Sequence, residues 1–184
     1  AGLQAAWVPD VPEAAQLLDA ALILCADHEL NVSAFTARCV ASSEASLYDV
    51  VVSALGALHG VLHGGASLQA EAMLDEFLLA DDLPGAVAER LRRGDAIAGF
   101  GHAVYAGVDP RAQLLLERLR VHGEPRVLAC VDSLREIVRD TMGLECNVDL
   151  ALAALTRSLG LARGAALTVF AIGRSAGWIA PALE

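Results

Sequence analysis

Apolar residues recur at helical spacing along most of the chain, and the period-two alternation of a half-buried strand is scarce. Aromatic residues make up 4% of the sequence, and neither Asn-Gly nor Asp-Gly occurs to close a hairpin. The pattern predicts an all-α fold. Pro12 is placed to open a helix whose apolar positions run through Ala15, Leu17, Leu18, Ala21 and Leu22 toward Cys25. The short polar side chains from Asn31 to Ser33 can cap a second helix carrying Phe35, Cys39 and Val40. Further helices are predicted near 47–62, 67–79, 84–93, 110–121, 126–141, 148–159 and 163–181.

From Val50 to Ala70 no side chain carries a formal charge, a run of membrane-spanning length. His59, His63, Ser53, Ser67, Gln69 and four glycines within it argue instead for a buried helix running into a glycine loop. Gly64-Gly65 ends that stretch, residues 71–140 hold most of the charge, and the chain turns apolar again from Val148. The expected organisation is a charged insertion, 65–150, between two segments, 1–64 and 151–184, of one apolar helical domain.

The apolar set reaches 55% against 20% charged residues, and the mean hydropathy is +0.50, values that exclude a disordered linker. Thirteen basic residues, every one of them Arg, face 23 acids for a net charge of −10. That balance speaks against a nucleic-acid partner of the basic-patch kind. Cys25, Cys39, Cys130 and Cys146 form no C-x-x-C pair and read as free thiols in a reducing compartment. The first ten residues show no signal peptide, so a cytoplasmic location without membrane attachment is expected.

Three histidines sit in unusual settings: His28 in Ala-Asp-His-Glu, His63 in Leu-His-Gly-Gly and His102 in Gly-Phe-Gly-His. Each can equally be a hydrogen-bonded structural residue. His59 and His63 stand four apart as zinc ligands do, but HGVLH lacks the Glu of metalloproteases, and no metal site is expected. GFGHAV offers two glycines of a dinucleotide fingerprint with Val104 at the third position and no strand before it, so that reading fails. Asp109 and Pro110 can begin a helix, yet capping does not account for Arg111, a cation at the positive end of the helix dipole. Asn147 can cap the helix at Val148 and make Asp149 a first-turn carboxylate. Arg174 interrupts an apolar helix, where a guanidinium needs a structural ion pair or an anionic ligand.

Taken together and in order, LILCADHELNVSAFTARCVAS, GALHGVLHGGAS, GFGHAVYAGVDPR, NVDLALAAL and FAIGRSAGWIAPALE resemble the citrate synthase family. The resemblance runs from about Leu22 to the end and corresponds to the C-terminal half of a family member. It implies a two-domain α-helical fold lacking the N-terminal part of the large domain, with 65–150 as the small domain. It also implies condensation of acetyl-CoA with oxaloacetate to citrate and CoA, the thioester being a substrate and no cofactor being required. By position, His63, His102 and Asp149 correspond to the catalytic residues: donor to the thioester carbonyl, donor at the ketone oxygen, and base. His28, Arg111 and Arg174 correspond to oxaloacetate-binding residues. The chemistry is coherent, since a carboxylate removes a thioester α-proton only if the carbonyl oxygen is stabilised as the enolate forms. Two fixed carboxylates also favour planar guanidinium groups.

Some positions depart from the family pattern. Val61 stands where Pro is usual, Ala106 where many relatives are basic near the CoA phosphates, and the C-terminal Arg that reaches a neighbouring subunit is absent. The expectation is a homodimer, or a chain completed by another that supplies the missing half, and no activity in isolation. A 2-methylcitrate synthase and a citryl-CoA lyase use the same constellation, and a non-catalytic dicarboxylate-binding module would keep the ligands without turnover.

Overall fold

The structure, a computed structural model, describes residues 2–183. Ten α-helices follow one another: α1 Gly2–Trp7, α2 Ala14–Ala26, α3 Val32–Ala41, α4 Leu47–Leu58, α5 Gly65–Leu78, α6 Leu83–Arg92, α7 Pro110–His122, α8 Pro125–Met142, α9 Val148–Ser158 and α10 Ala165–Ile179. A 3₁₀ turn, Ala180–Ala182, continues α10. The one strand-like feature among the described residues is an antiparallel bridge between Phe100 and Cys146. The fold is all-α, as the spacing of apolar residues predicts.

Helix starts follow local chemistry. Asn31, Asp109 and Asn147 each accept a hydrogen bond from a backbone N–H of the helix they precede, from Ala34, Arg111 and Asp149 respectively. Two boundaries differ from expectation for a visible reason. Pro12 lies in a turn before α2, where Val11 O and Pro12 O accept from Ala14 N and Ala15 N, so the helix proper begins two residues later. The helix expected over 47–62 stops at Leu58, because Gly64 N–H returns to Leu58 O at 2.8 Å and closes the chain into a turn. The uncharged run from Val50 to Ala70 is therefore two helices and a turn, and among the described residues no helix is long and apolar enough to cross a membrane. Helix α1 carries no periodicity that announced it.

The centre is α9, where every residue from Leu150 to Thr156 is buried. A helix that is apolar on all sides belongs inside a bundle. Helices α5, α7, α8 and α10 pack around it, and α10 in turn carries α2, α3 and α4. Residue 150, drawn above as the end of the insertion, lies inside this helix.

Two contacts fix α10. Its N-terminal residue Gly164 has no side chain with which to cap, and the buried Glu71 of α5 substitutes: it accepts from Gly164 N at 2.6 Å, Ala166 N at 3.0 Å and Thr156 Oγ1 at 2.9 Å. Further along, Gly173 and Gly177 face α2, where a Cβ would lie 2.7 Å from Leu22 O and 2.1 Å from Ala26 O. Backbone carbonyls at that range cannot be repacked like a side chain. The substitution Gly177→Ala therefore forces the two helices apart and lowers stability by about 1–3 kcal/mol, measured as a lower urea midpoint.

Candidate active site

The turn after α2, the turn between α4 and α5, the loop before α7, the N-terminus of α9 and one side of α10 enclose a cleft of about 490 Å³. His28, His63, His102, Arg111, Asp149 and Arg174 all line it. Residues up to 146 positions apart in the chain (28 to 174) thus meet at one place.

The cationic side is built from two unlike arginines. Arg174 is 1% exposed, its Nε donates to Cys25 O at 2.6 Å, and its guanidinium carbon lies 4.9 Å from the centre of the Phe170 ring. Both Nη atoms are buried with no acceptor among the described residues. Burial lowers the pKa of this group, but an arginine keeps its charge at neutral pH. Cys25 beside it stays a thiol, pushed up to about 12 by burial. Arg111 is already gripped: Asp109 accepts from its backbone N and its Nε through Oδ1, both at 3.0 Å, and from Nη2 through Oδ2 at 2.8 Å. Asp109 Oδ2 also accepts from Val148 N, the first residue of α9, at 3.0 Å. Burial alone would raise this carboxyl, yet the hydrogen bonds and charge of Arg111 hold it below the usual carboxylate range.

The histidines face these cations. Val104 N–H donates to His102 Nδ1 at 3.0 Å, while His102 Nε2 lies 3.2 Å from Arg111 Nη2. A neutral imidazole has one acceptor nitrogen, and the backbone amide can only donate, so the ring proton resides on Nε2. The Nε2–H and Arg111 Nη2 are then two donors side by side, an arrangement that suits a shared oxygen acceptor. His28 Nε2 is 2.9 Å from Tyr105 Oη, and its ring meets that of His102 edge-on at 5.1 Å. Burial first, and the nearby Arg111 second, lower the pKa of His28. His63 is likewise lowered by burial and by Arg174. Both are neutral at pH 7.

His63 Nε2 sits 2.9 Å from Ser33 Oγ. That hydroxyl is 3.0 Å from Asn31 Oδ1 and receives Trp178 Nε1–H at 3.3 Å. Its single proton therefore has two acceptors to choose from, and when it points at His63 the ring keeps its own proton on Nδ1. Across the cleft, Asp149 Oδ1 accepts from Ser67 Oγ. Burial pushes the Asp149 carboxyl up, opposed by the Ser67 hydrogen bond and the charge of Arg111. A carboxylate so raised is a stronger base than one in water.

The glycines around His102 shape the approach. Gly99 and Gly101 adopt φ of +81° and +75°, and a Cβ on Gly99 would lie 2.8 Å from Leu150 Cβ. That bend lets Gly101 N reach Glu145 O and Asn147 N reach Gly99 O, which seats the loop on the entry to α9. His59 caps the end of α4, and among the described residues no cluster of three His, Cys, Asp or Glu side chains could hold a metal. Residues not singled out from the sequence are Ser33, Ser67, Tyr105, Phe170 and Trp178. Only Ser67, one helical turn beyond His63, had a legible signal.

The class of structure is thus a helical bundle with a cleft that opposes two guanidinium groups to a half-buried carboxylate. Residues 5–184 match the model of the citrate synthase C-terminal domain. A citrate synthase of Deinococcus radiodurans is 35% identical over 180 residues, which cover 94% of this chain and 48% of the relative. The structure of citryl-CoA lyase from Hydrogenobacter thermophilus is similar at a TM-score of 0.86 and 30% identity, over 94% of this chain and 69% of that one. Citrate synthase from Thermoplasma acidophilum, in ternary complex with carboxymethyl coenzyme A and oxaloacetate, is similar at a TM-score of 0.79 and 30% identity, over 94% and 48% of the two chains. The chain belongs to the citrate synthase family. It spans about half the length of the curated relatives it matches.

Because the folded pKa of Asp109 lies below its unfolded value, the stability it contributes is complete above the unfolded carboxylate pKa and is lost as pH falls through the folded one. Replacing it by Ala strands a buried guanidinium, so Asp109→Ala loses about 3–5 kcal/mol at pH 7. The deficit narrows below about pH 4, a trend read from urea unfolding of both proteins at each pH.

Proposed function

We propose that the protein joins the acetyl group of acetyl-CoA to oxaloacetate, giving citrate and CoA. The observation that carries this reading is Arg174, a buried cation with two acceptor-less nitrogens in a cleft that also holds Arg111 and three histidines. A keto acid with two carboxylates would satisfy both guanidinium groups while its ketone oxygen takes the paired donors of His102 and Arg111. His28 would add a third contact.

Asp149 then removes a proton from the acyl methyl group. The electron pair moves toward the thioester oxygen, where the N–H of His63 stabilises the developing charge. The enol carbon attacks the ketone carbon, a C–C bond forms, and the ketone oxygen takes the proton of His102 Nε2, which the proton taken up by Asp149 replaces before the next turnover. Water finally cleaves the thioester, releasing CoA and citrate. No cofactor enters this sequence. In the same reading, residues 65–150 form the small domain that closes over the substrates and excludes water. Exposed apolar side chains on α3 and α4, among them Val32, Phe35, Tyr48 and Val52, support a surface covered by a second copy or by the segment that supplies the family's other half.

A second reading is favoured by one observation: the structure of a citryl-CoA lyase is similar at a TM-score of 0.86. In that direction the same groups break the C–C bond of citryl-CoA to give acetyl-CoA and oxaloacetate. A 2-methylcitrate synthase would use propionyl-CoA.

Thiol release assayed with oxaloacetate and either acetyl-CoA or propionyl-CoA, beside cleavage of citryl-CoA, separates these activities. With the family's other half supplied, the expected result is CoA release with acetyl-CoA, reduced about 10²- to 10⁴-fold in Asp149→Asn. Oxaloacetate binding, followed by calorimetry, persists in Asp149→Asn and is lost in Arg174→Ala. Binding of oxaloacetate without thiol release or citryl-CoA cleavage, even with the family's other half supplied, makes the protein a dicarboxylate-binding module and overturns the catalytic reading.

A further inference from the structure

The two oxygens of the Asp149 carboxylate are unlike. Oδ1 accepts the hydroxyl of Ser67, whereas Oδ2 accepts from no described donor, and the side chain lines the cleft. Ser67 is 2% exposed and lies in the first turn of α5, four residues after His63. Its hydroxyl has Asp149 as its one acceptor among the described residues. The contact joins the start of α5 to the start of α9, elements separated by 82 residues in the chain.

We infer that Ser67 is the positioning residue of the Asp149 base, pinning Oδ1 so that Oδ2 is the oxygen presented to a proton in the cleft. The inference rests on the condensing-enzyme reading for its effect on turnover, not for the geometry. When Oδ2 takes a proton, the carboxylate charge is lost, the carbon's electron pair passes to the substrate carbonyl, and the Ser67 O–H is left bonded to a weaker acceptor. A donor to the charged form also lowers the basicity of the carboxylate. Ser67 therefore trades base strength for orientation. This combination has a signature that a merely structural contact lacks: removing the hydroxyl makes Asp149 a stronger base and a slower one.

The test compares the full chain with Ser67→Ala, which deletes one atom from a packed site, and with Ser67→Thr, which keeps the hydroxyl. Asp149 is titrated through its side-chain carboxyl carbon by NMR, and turnover is followed across pH. In Ser67→Ala the Asp149 midpoint is expected to move up by about one pH unit, the worth of one hydrogen bond to a charged group. With it the acid limb of the rate profile moves up, kcat falls by about 10- to 100-fold as orientation is lost, and the KM for oxaloacetate is unchanged. Ser67→Thr restores both the midpoint and the rate. An Asp149 midpoint that stays put in Ser67→Ala overturns the inference, as does a kcat that rises along with the midpoint. If the midpoint moves while neither protein turns over any of the thioesters, the role of Ser67 toward Asp149 stands and the condensing-enzyme reading falls by itself.

Discussion

A single buried carboxylate, that of Asp109, ties the site together. It caps α7 through Arg111 N, grips the same residue's guanidinium, and accepts from Val148 N at the head of α9. Three duties fall on two oxygens because the chain brings two helix starts to the same point, and each start offers free N–H groups that need an acceptor. One of those helices carries Arg111 and the other Asp149. The spacing of this cation and this carboxylate is thereby set by a shared anchor rather than by any direct contact between them.

The electrostatics follow from how completely each group is paired. Arg111 spends part of its fork on Asp109 and keeps the remainder for the cleft, whereas Arg174 holds a single backbone carbonyl and has two nitrogens unmatched. Leaving such a group unmet is costly, so its presence in a core otherwise built from aliphatic side chains is a mark of chemistry rather than of packing. The same positive field, added to burial, keeps His28 and His63 uncharged. Neutral rings can then donate a hydrogen bond while remaining poor repellents of a cationic neighbour.

What the amino-acid sequence discloses is mostly local. The caps Asn31, Asp109 and Asn147 are legible because a helix start is decided by residues two or three apart. The candidate site residues are legible because a histidine among glycines, or an arginine in an apolar helix, contradicts its surroundings. Ser33, Tyr105 and Phe170 contradict nothing where they stand and acquire meaning only through partners far along the chain, such as Ser33 with His63, 30 residues away. The end of α4 at Leu58 was hidden because apolar spacing continues past it, and the break is made by the backbone hydrogen bond to Gly64. Asp109 was legible as a cap and illegible as the holder of Arg111, since a cap accounts for it fully.

Gly173 and Gly177 stand one helical turn apart, and each accommodates a carbonyl of α2. The two helices consequently mesh like a rack and its teeth. Sliding one along the other would set a side chain against an oxygen, so the alignment of the pair is fixed. His28 follows the end of α2 and Arg174 lies between the two glycines, which means that the gap separating that imidazole from that guanidinium is indexed, not adjusted. Any change that reshapes this side of the cleft must therefore come from the side chains themselves or from the opposite wall, because this wall has no continuous setting to offer.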